Sequence, residues 1–314
     1  MRKAIQALAV AALIAALLAI IPYAPAQAQG GKQATTFVTV LGPNYTPPPA
    51  VSKDDISVYE SKQKKEITSW VPAQGDKAAL QLAILIDDGT RTELGLQLKD
   101  IASFITNQPK SEAVGVFYAS NGTFQSASQF SNDHEAVAKA LRLPLGNFAA
   151  YSSVYLSTMD LIKRWPSAPG SRREILLISD GIDRFRGDPF SPDIQSTYEA
   201  AQKSGVMIHT LYASGVGRYS RNIFRVNYGQ SNLAEITDKT GGESFFQGLE
   251  TPIAFAPFLQ QLDMILKNQY WLSWGTAPTT KAKGELRPFR IKTELKNVEI
   301  SAPDRVFVSG SGAK

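Results

Sequence analysis

Residues 82–88 read Leu-Ala-Ile-Leu-Ile-Asp-Asp, and residues 175–181 read Ile-Leu-Leu-Ile-Ser-Asp-Gly. Each stretch is a short, uninterrupted apolar run that ends in or just before an acidic residue. Such a run is typical of a parallel strand that is covered on both faces, because both sets of its side chains are then buried. The two stretches therefore predict central strands of an α/β sheet with carboxylates at their carboxyl ends.

Segments with helical periodicity separate the predicted strands from residue 80 to about 267. Leu94, Leu98, Ile101 and Ile105 recur at spacings of three and four residues and mark one apolar helix face. The run 124–130 interrupts this order as an edge hairpin. Repeated strand–helix units favour an α/β fold with a doubly wound, mostly parallel six-stranded sheet and helices on both faces.

Short alternating strands without helices flank this region on both sides. We expect the two flanks to pair as one small β module into which the α/β domain is inserted. The predicted divisions are a signal peptide at 1–28, an N-terminal β segment at 29–78, the α/β domain at 79–268, a C-terminal β segment at 269–308 and a disordered tail at 309–314.

The N-terminus is typical of a signal peptide. Arg2 and Lys3 precede an apolar stretch over 4–21, and Ala26 and Ala28 form an Ala-x-Ala cleavage pattern. We expect export to the periplasm, the cell surface or the medium. An uncleaved anchor is the alternative, because the apolar stretch is near the lower length limit for a membrane-spanning helix.

Composition excludes several kinds of site. The chain has no cysteine, so it has no disulfide, thiolate metal site or lipid-attachment cysteine. Once the leader leaves with Arg2 and Lys3, 31 of the 33 basic residues stand against 28 acidic ones. This excess is too small to indicate a nucleic-acid partner, which requires a concentrated basic face.

No motif of a catalytic site is found. The only histidines, His134 and His209, lack the partner spacing of a zinc site or a catalytic triad. The chain has neither a Gly-x-Ser-x-Gly elbow nor a phosphate-binding loop. The segment 215–217, Gly-Val-Gly, lacks the third glycine of a dinucleotide site and is interpreted as a flexible loop. We therefore expect a protein that is not an enzyme.

The order of four motifs resembles the von Willebrand factor A family, and more closely a secreted bacterial subfamily in which that domain is flanked by β segments. The motifs lie at 85–88, 176–181, 240–242 and 268–272. The resemblance implies a binding, adhesion or scaffold protein. It also implies a hard divalent ion, usually Mg²⁺, held by an Asp-x-Ser-x-Ser run, a Thr from a second loop and an Asp from a third.

The ligand positions carry over incompletely. Asp87 matches the first Asp, Ser152 the Thr and Asp180 the third-loop Asp, but Gly89 and Arg91 stand where the two serines are expected. Gly89 has no side-chain oxygen. The Arg91 guanidinium repels a divalent ion, and we expect it to pair with Asp87 or Asp180 instead. The resemblance therefore implies a degenerate metal-ion site, with Mg²⁺ as the candidate cofactor.

A shift of one residue rescues part of the metal-binding run. Asp88, Thr90 and Thr92 have oxygen-bearing side chains at the same spacing. The apolar strand ends at Ile86, however, and the first residue beyond a strand usually takes the ligand position. The shifted register stays an alternative.

Two long segments near Asp180, residues 184–192 and 215–229, are rich in arginine and aromatic residues. Arginine and tyrosine often anchor protein interfaces, and loops on a rigid sheet commonly carry recognition. We expect these loops to bind a protein, in the sharper form an acidic partner or a polyanionic glycan. Solvated loops, in a protein with a purely structural role in the cell envelope, are the alternative. The predicted partner-binding residues are Arg184, Phe185, Arg186, Arg218, Tyr219, Arg221 and Arg225.

Overall fold

The computed structural model describes residues 33–147, 152–166, 168, 170–186, 192–245 and 248–310. The predicted signal peptide and the end of the predicted tail, 311–314, lie outside the described residues. Within those residues, no helix has the length and apolar character needed to cross a membrane.

The described chain forms strands and helices whose bounds are as follows. The strands are β1 (Gln33–Leu41), β2 (Ile56–Glu60), β3 (Gln63–Lys65), β4 (Ile67–Pro72), β5 (Leu80–Asp87), β6 (Glu112–Ser120), β7 (Thr123–Ser131), β8 (Arg172–Ser179), β9 (Val206–Tyr212), β10 (Ser244–Phe245), β11 (Gln269–Gly275), β12 (Glu285–Thr293), β13 (Glu299–Ser301) and β14 (Arg305–Val308). The α-helices are α1 (Leu98–Thr106), α2 (His134–Lys139), α3 (Val154–Lys163), α4 (Pro192–Ser204), α5 (Ile223–Thr240) and α6 (Ala256–Lys267). Short 3-10 helices lie at Pro43–Tyr45, Lys53–Asp55, Gly75–Lys77, Thr92–Gln97 and Tyr219–Arg221.

The six-stranded sheet has the order β10-β9-β8-β5-β6-β7. All neighbouring pairs are parallel except β6 and β7, which form the antiparallel edge hairpin. The chain starts at the centre with β5, builds one side, and returns to build the other side from β8. The predicted doubly wound, mostly parallel sheet is confirmed.

Helices cover both faces of this sheet. Strand β5 shows why, because its side chains alternate between the faces: Ile84 and Ile86 join a core with α1, α2 and α6, whereas Ala83 and Leu85 join a core with α3, α4 and α5. Every residue of β5 is buried. A strand that must be apolar on both faces explains the unbroken run in the sequence.

Helix α5 begins earlier than the sequence pattern predicts. The segment 215–229 is interpreted from sequence as one loop, but residues from Ile223 onward are helical. The side chain of Asn222 caps this helix by accepting hydrogen bonds from the backbone N–H groups of Phe224 and Arg225. The loop prediction is therefore wrong for the second half of the segment, where a capped helix presents the aromatic side chains.

The flanking strands form two four-stranded antiparallel sheets, with orders β13-β1-β11-β4 and β14-β12-β2-β3. Each sheet pairs strands from both ends of the chain: Phe37 lies opposite Trp271, and Val58 lies opposite Ile291. One apolar core lies between them, with Val38, Val58, Leu272, Trp274 and Phe289 among its members. The two flanks of the chain pair with each other, while the exact domain boundaries stay a prediction.

Candidate functional site

The carboxyl ends of β5, β8 and β9 meet at one edge of the six-stranded sheet, here called the upper edge. Asp87 is the last residue of β5, and Asp180 directly follows β8. Both side chains are buried. Because the order of the chain reverses between β5 and β8, this is where a doubly wound sheet opens a crevice for ligands.

Asp87 is satisfied by groups from the protein. Its Oδ1 accepts a hydrogen bond of 2.8 Å from the backbone N–H of Gly89, and its Oδ2 accepts one of 2.8 Å from the hydroxyl of Ser179. Burial raises the pKa of Asp87 above its ordinary value; Arg184 opposes this shift, and the nearby charge of Asp180 adds to it. Burial thus works against the charged form of Asp87, while its two hydrogen-bond donors favour that form.

Asp180 forms a buried, two-pronged ion pair with Arg184. Nη1 of Arg184 donates to Oδ1 at 3.0 Å and Nη2 donates to Oδ2 at 2.5 Å, and the side chains are only 2% and 1% exposed. Ser220 also donates to Oδ2, at 3.1 Å. Burial alone would lower the pKa of Arg184, but Asp180 outweighs it and the pKa is raised. Arg184 therefore stays charged.

Gly215 packs directly against this ion pair and covers it. A β-carbon at this position would lie 2.1 Å from Oδ2 of Asp180 and 2.3 Å from Nη2 of Arg184, which no side chain tolerates. The loop is also tied to the loop after β5, because the N–H of Val216 donates to the carbonyl of Gly89 at 2.9 Å. The segment predicted to be a flexible loop is held on the site by these contacts.

Arg91 does not take the place expected for it. Its Nη1 pairs with Glu250 at 2.6 Å and its Nε donates to the carbonyl of Gly215 at 3.1 Å. The hydrogen bond to Gly215 and the ion pair with Glu250 hold the Arg91 guanidinium on the outer side of the loop. The expected pairing of Arg91 with Asp87 or Asp180 is therefore wrong. The cation beside Asp180 is Arg184.

The shifted register does not gather its ligands either. Asp88 accepts bonds of 2.7 and 2.8 Å from the guanidinium of Arg142, which also lies 3.6 Å above the ring of Tyr118. Thr90 turns its hydroxyl back to the carbonyl of Asp87 at 2.7 Å. Thr92 opens a 3-10 helix and packs its methyl group near Gly146. No pattern in the sequence indicates Arg142 as the partner of Asp88, because the two residues are 54 positions apart in the chain.

The second loop is described only from Ser152 onward, since residues 148–151 lie outside the described part of the chain. The carbonyl oxygen of Ser152 accepts a hydrogen bond of 3.2 Å from the N–H of Arg184. This backbone contact joins the second loop to the loop that carries Asp180, and the predicted ligand role of the Ser152 hydroxyl stays a prediction.

These residues do not fit a divalent cation. Position 89 contributes an N–H donor to Asp87 rather than an oxygen ligand, and the oxygens of Asp180 already bind a guanidinium. Across the described residues, no three histidine, aspartate or glutamate side chains come together as a metal site. Mg²⁺ is expected from the resemblance alone.

The predicted partner-binding residues divide into two groups. Arg184 is buried in the ion pair and unavailable to a partner, so its assignment as a recognition residue is corrected. The others lie outside: Phe185 is exposed, Arg186 pairs with Asp193 at 2.8 Å, and the ring of Tyr219 has the guanidinium of Arg225 at 4.1 Å and that of Arg218 at 5.2 Å. Arg221 is also exposed.

Exposed apolar side chains concentrate around the same edge. Of the ten large apolar side chains that are exposed among the described residues, only Val71 belongs to the flanking sheets. Two of the others are almost fully exposed, Ile253 at 96% and Leu96 at 79%. The nine side chains other than Val71, which we call the upper rim, are Leu96, Leu143, Leu145, Phe185, Ile223, Phe224, Tyr228, Leu249 and Ile253.

Comparison with known families finds no protein-family model that matches the sequence, and comparison with curated proteins finds no match either. Among solved structures, the chain is similar to an aerotolerance-related membrane protein from Bacteroides fragilis, at 12% identity and a TM-score of 0.45 over 60% of this chain and 98% of that one. It is similar to the conserved hypothetical protein BatB from Bacteroides thetaiotaomicron, at 13% identity and a TM-score of 0.43 over 60% of this chain and all of that one.

A longer match is to a von Willebrand factor type A structure from Catenulispora acidiphila. It covers 90% of this chain and 74% of that one, at 9% identity and a TM-score of 0.42. The doubly wound, mostly parallel sheet of this chain, with β7 as its antiparallel edge strand, has the architecture that the sequence resemblance implied.

Proposed function

We propose that this chain is an exported, non-enzymatic binding protein that recognises a partner protein through the upper rim of its α/β domain. The observation that carries the proposal is that, of the ten large apolar side chains exposed among the described residues, nine lie in the segments around the upper edge of the sheet. Scattered exposed apolar residues need no explanation, but their concentration on the loops of a single edge is typical of an interaction surface.

One side of the rim is aliphatic. Leu143 packs over Gly95, where a β-carbon would lie 2.5 Å from its Cδ2 atom, and the side chain of Gln97 donates to the carbonyl of Ile253 at 3.0 Å. These contacts bring Leu143, Leu96 and Ile253 into neighbouring loops. An apolar surface of this kind suits the side chains of a protein partner rather than a glycan.

The other side is aromatic and cationic. Phe224, at 70% exposure, lies beside Arg225 on the first turn of α5, and the rings and guanidinium groups of Tyr219 and its neighbours stack nearby. Arginine and aromatic residues are enriched at the energetic centres of interfaces. The positive charge of these arginines favours an acidic partner. In this proposal the flanking β sheets serve as the structural support of the α/β domain.

Single substitutions test this proposal. Phe224→Ser and Ile253→Ser each remove one exposed apolar side chain without touching the core, and Val71→Ser is the matched control on the flanking sheet. The purified chain is cross-linked to proteins in an extract of the source cells. Both rim variants should give less cross-linked partner than the natural protein does, and the control should give the same amount. Retention of every partner by the rim variants would instead favour a purely structural role in the cell envelope.

Export is proposed on the N-terminal pattern, and it has its own test. Expression of the full chain in a bacterium with a functional secretion pathway should give a product whose first residue is Gln29, as measured by intact-mass spectrometry. A product that retains the first 28 residues in the membrane fraction would indicate an uncleaved anchor.

A further inference from the structure

We infer that the guanidinium of Arg184 takes the place of a divalent cation at the upper edge, so that this chain carries a permanent cation of its own. The inference is independent of the proposed partner binding. It rests on the mismatch between the metal-binding pattern that the sequence resembles and the contacts that its acidic residues make.

The first support is the coordination of Asp180. Both of its carboxylate oxygens are bound by Arg184, and one of them also receives the hydroxyl of Ser220. The planar fork of an arginine matches a carboxylate at two points, so a guanidinium compensates a buried charge where a bound ion otherwise would. With 1% of its side chain exposed, Asp180 could not remain charged without a cation.

The second support is where the cation comes from. Arg184 and Asp180 are four residues apart in the same loop, so the ligand and its cation are positioned together when the chain turns after β8. The N–H of Arg184 donates to the carbonyl of Ser152, which links this loop to the one that would supply another metal ligand. The guanidinium thereby joins the same loops that a metal ion would join.

The third support is the seal. Gly215 lies against both members of the pair, at distances that leave no room for a side chain. The loop after β9 is fastened in this position, because the N–H of Arg91 donates to the carbonyl of Ser214 at 2.9 Å and the N–H of Val216 donates to that of Gly89. A cation under such a cover does not exchange with solvent or accept a carboxylate from a partner.

Removing the guanidinium should therefore create a vacant cation site. Arg184→Ala leaves Asp87, Asp180 and the hydroxyl of Ser220 around an empty, buried polar space. These are oxygen ligands that suit Mg²⁺ or Mn²⁺. We expect the melting temperature of this variant to fall by on the order of 5–10 °C in chelator. Mn²⁺ should recover a substantial part of that loss.

The experiment is a titration of Mn²⁺, followed by calorimetry and by the loss of the free-ion electron paramagnetic resonance signal. The natural protein should show no saturable binding and no change in melting temperature on addition of chelator. Arg184→Ala should bind Mn²⁺ saturably, and the double variant Arg184→Ala, Asp180→Asn should not. Arg186→Ala is the matched control, because it removes the guanidinium of a surface ion pair with Asp193, two residues along the chain from Arg184. This variant should behave as the natural protein does.

Two results would overturn the inference. One is saturable binding of Mn²⁺ by the natural protein that is lost in Asp180→Asn. This result can be tested without any variant of Arg184. The other is a folded Arg184 variant that binds no Mn²⁺. Arg184→Gln, which keeps hydrogen bonding and most of the packing, provides the second test if the alanine variant does not fold.

Discussion

The two buried aspartates at the upper edge differ in how the protein compensates their charge. Asp180 has a dedicated counter-charge in Arg184, whereas the hydrogen-bond donors to Asp87 among the described residues are the neutral groups of Ser179 and Gly89. Burial raises the pKa of Asp87, so the folded state binds its proton more tightly than the unfolded state does. Any contribution of this group to stability is therefore fully present below its unfolded pKa and is lost as the pH rises to its higher folded pKa.

Neutralising the two residues should have unequal effects. Asp180→Asn leaves the Arg184 charge buried and uncompensated, and we expect it to lower the free energy of unfolding by about 3–5 kcal/mol. Asp87→Asn removes a charge that the site disfavours and keeps groups able to pair with Ser179 and Gly89, so about 1 kcal/mol or less is expected. Urea unfolding at pH 7 measures both, and equal losses would contradict this division of roles.

The close approach of Gly215 to the ion pair gives a second test at the residue scale. Gly215→Ala places a methyl group against Asp180 and Arg184, and we expect a loss of about 1–3 kcal/mol because neither buried group has space to move. Gly275 at the end of β11 is the control, since a β-carbon there meets nothing within 4 Å. Equal stability of the two alanine variants would show that the loop does not seal the pair.

At the scale of elements, the opposite edge of the sheet carries a second buried polar group of residues where β6, β8 and β9 meet β11. Nδ1 of His209 accepts the N–H of Glu243, so Nε2 donates to Glu174 at 2.8 Å, and Gln269 donates to the same carboxylate oxygen at 3.2 Å. Arg172 bonds to the carbonyl of Leu266 at 2.9 Å. This network joins the central sheet to the flanking strands, and His209 takes part in it.

Glu112 makes this region sensitive to pH. Burial raises its pKa to about 7, with Arg172 opposing the shift. The folded protein keeps a proton that the unfolded chain releases near the ordinary glutamate pKa. Stability should therefore fall between about pH 4.5 and pH 7, by up to about 3 kcal/mol.

Replacing the ionisable group should remove that dependence. Glu112→Gln, compared with the natural protein in chemical unfolding at pH 5 and pH 8, should lose the part of the decline that belongs to Glu112 and be the more stable of the two at pH 8. Glu135→Gln, at the exposed start of α2, is the control and should retain it. An unchanged decline in Glu112→Gln would assign the pH dependence to other groups.

Across the whole molecule, the sequence predicts the features that depend on local patterns. The unbroken apolar runs of β5 and β8 require cover on both faces, and from them the doubly wound sheet follows. The paired flanks could be anticipated because each end of the chain carries alternating strands and neither end has helices to cover them.

The candidate site could be predicted only in part, for a physical reason. Strand ends locate Asp87 and Asp180, but which cation reaches a carboxylate depends on side-chain direction in loops. Arg91 and Arg184 both stand near these acids in the chain, yet the Gly215 carbonyl draws the first outward and the turn after β8 folds the second inward. The exposure of Leu96 and Ile253 is likewise a tertiary property that no periodicity signals.

The most direct measurement is site-specific photo-cross-linking in the source cells. A photoreactive amino acid replaces Phe224 or Ile253 on the upper rim, and Val71 on the flanking sheet serves as the control. We predict a discrete cross-linked protein from both rim positions, unchanged by chelator, and none from position 71. Cross-links from position 71 alone, or a rim product that disappears when divalent ions are removed, would contradict a metal-independent binding surface at the upper edge.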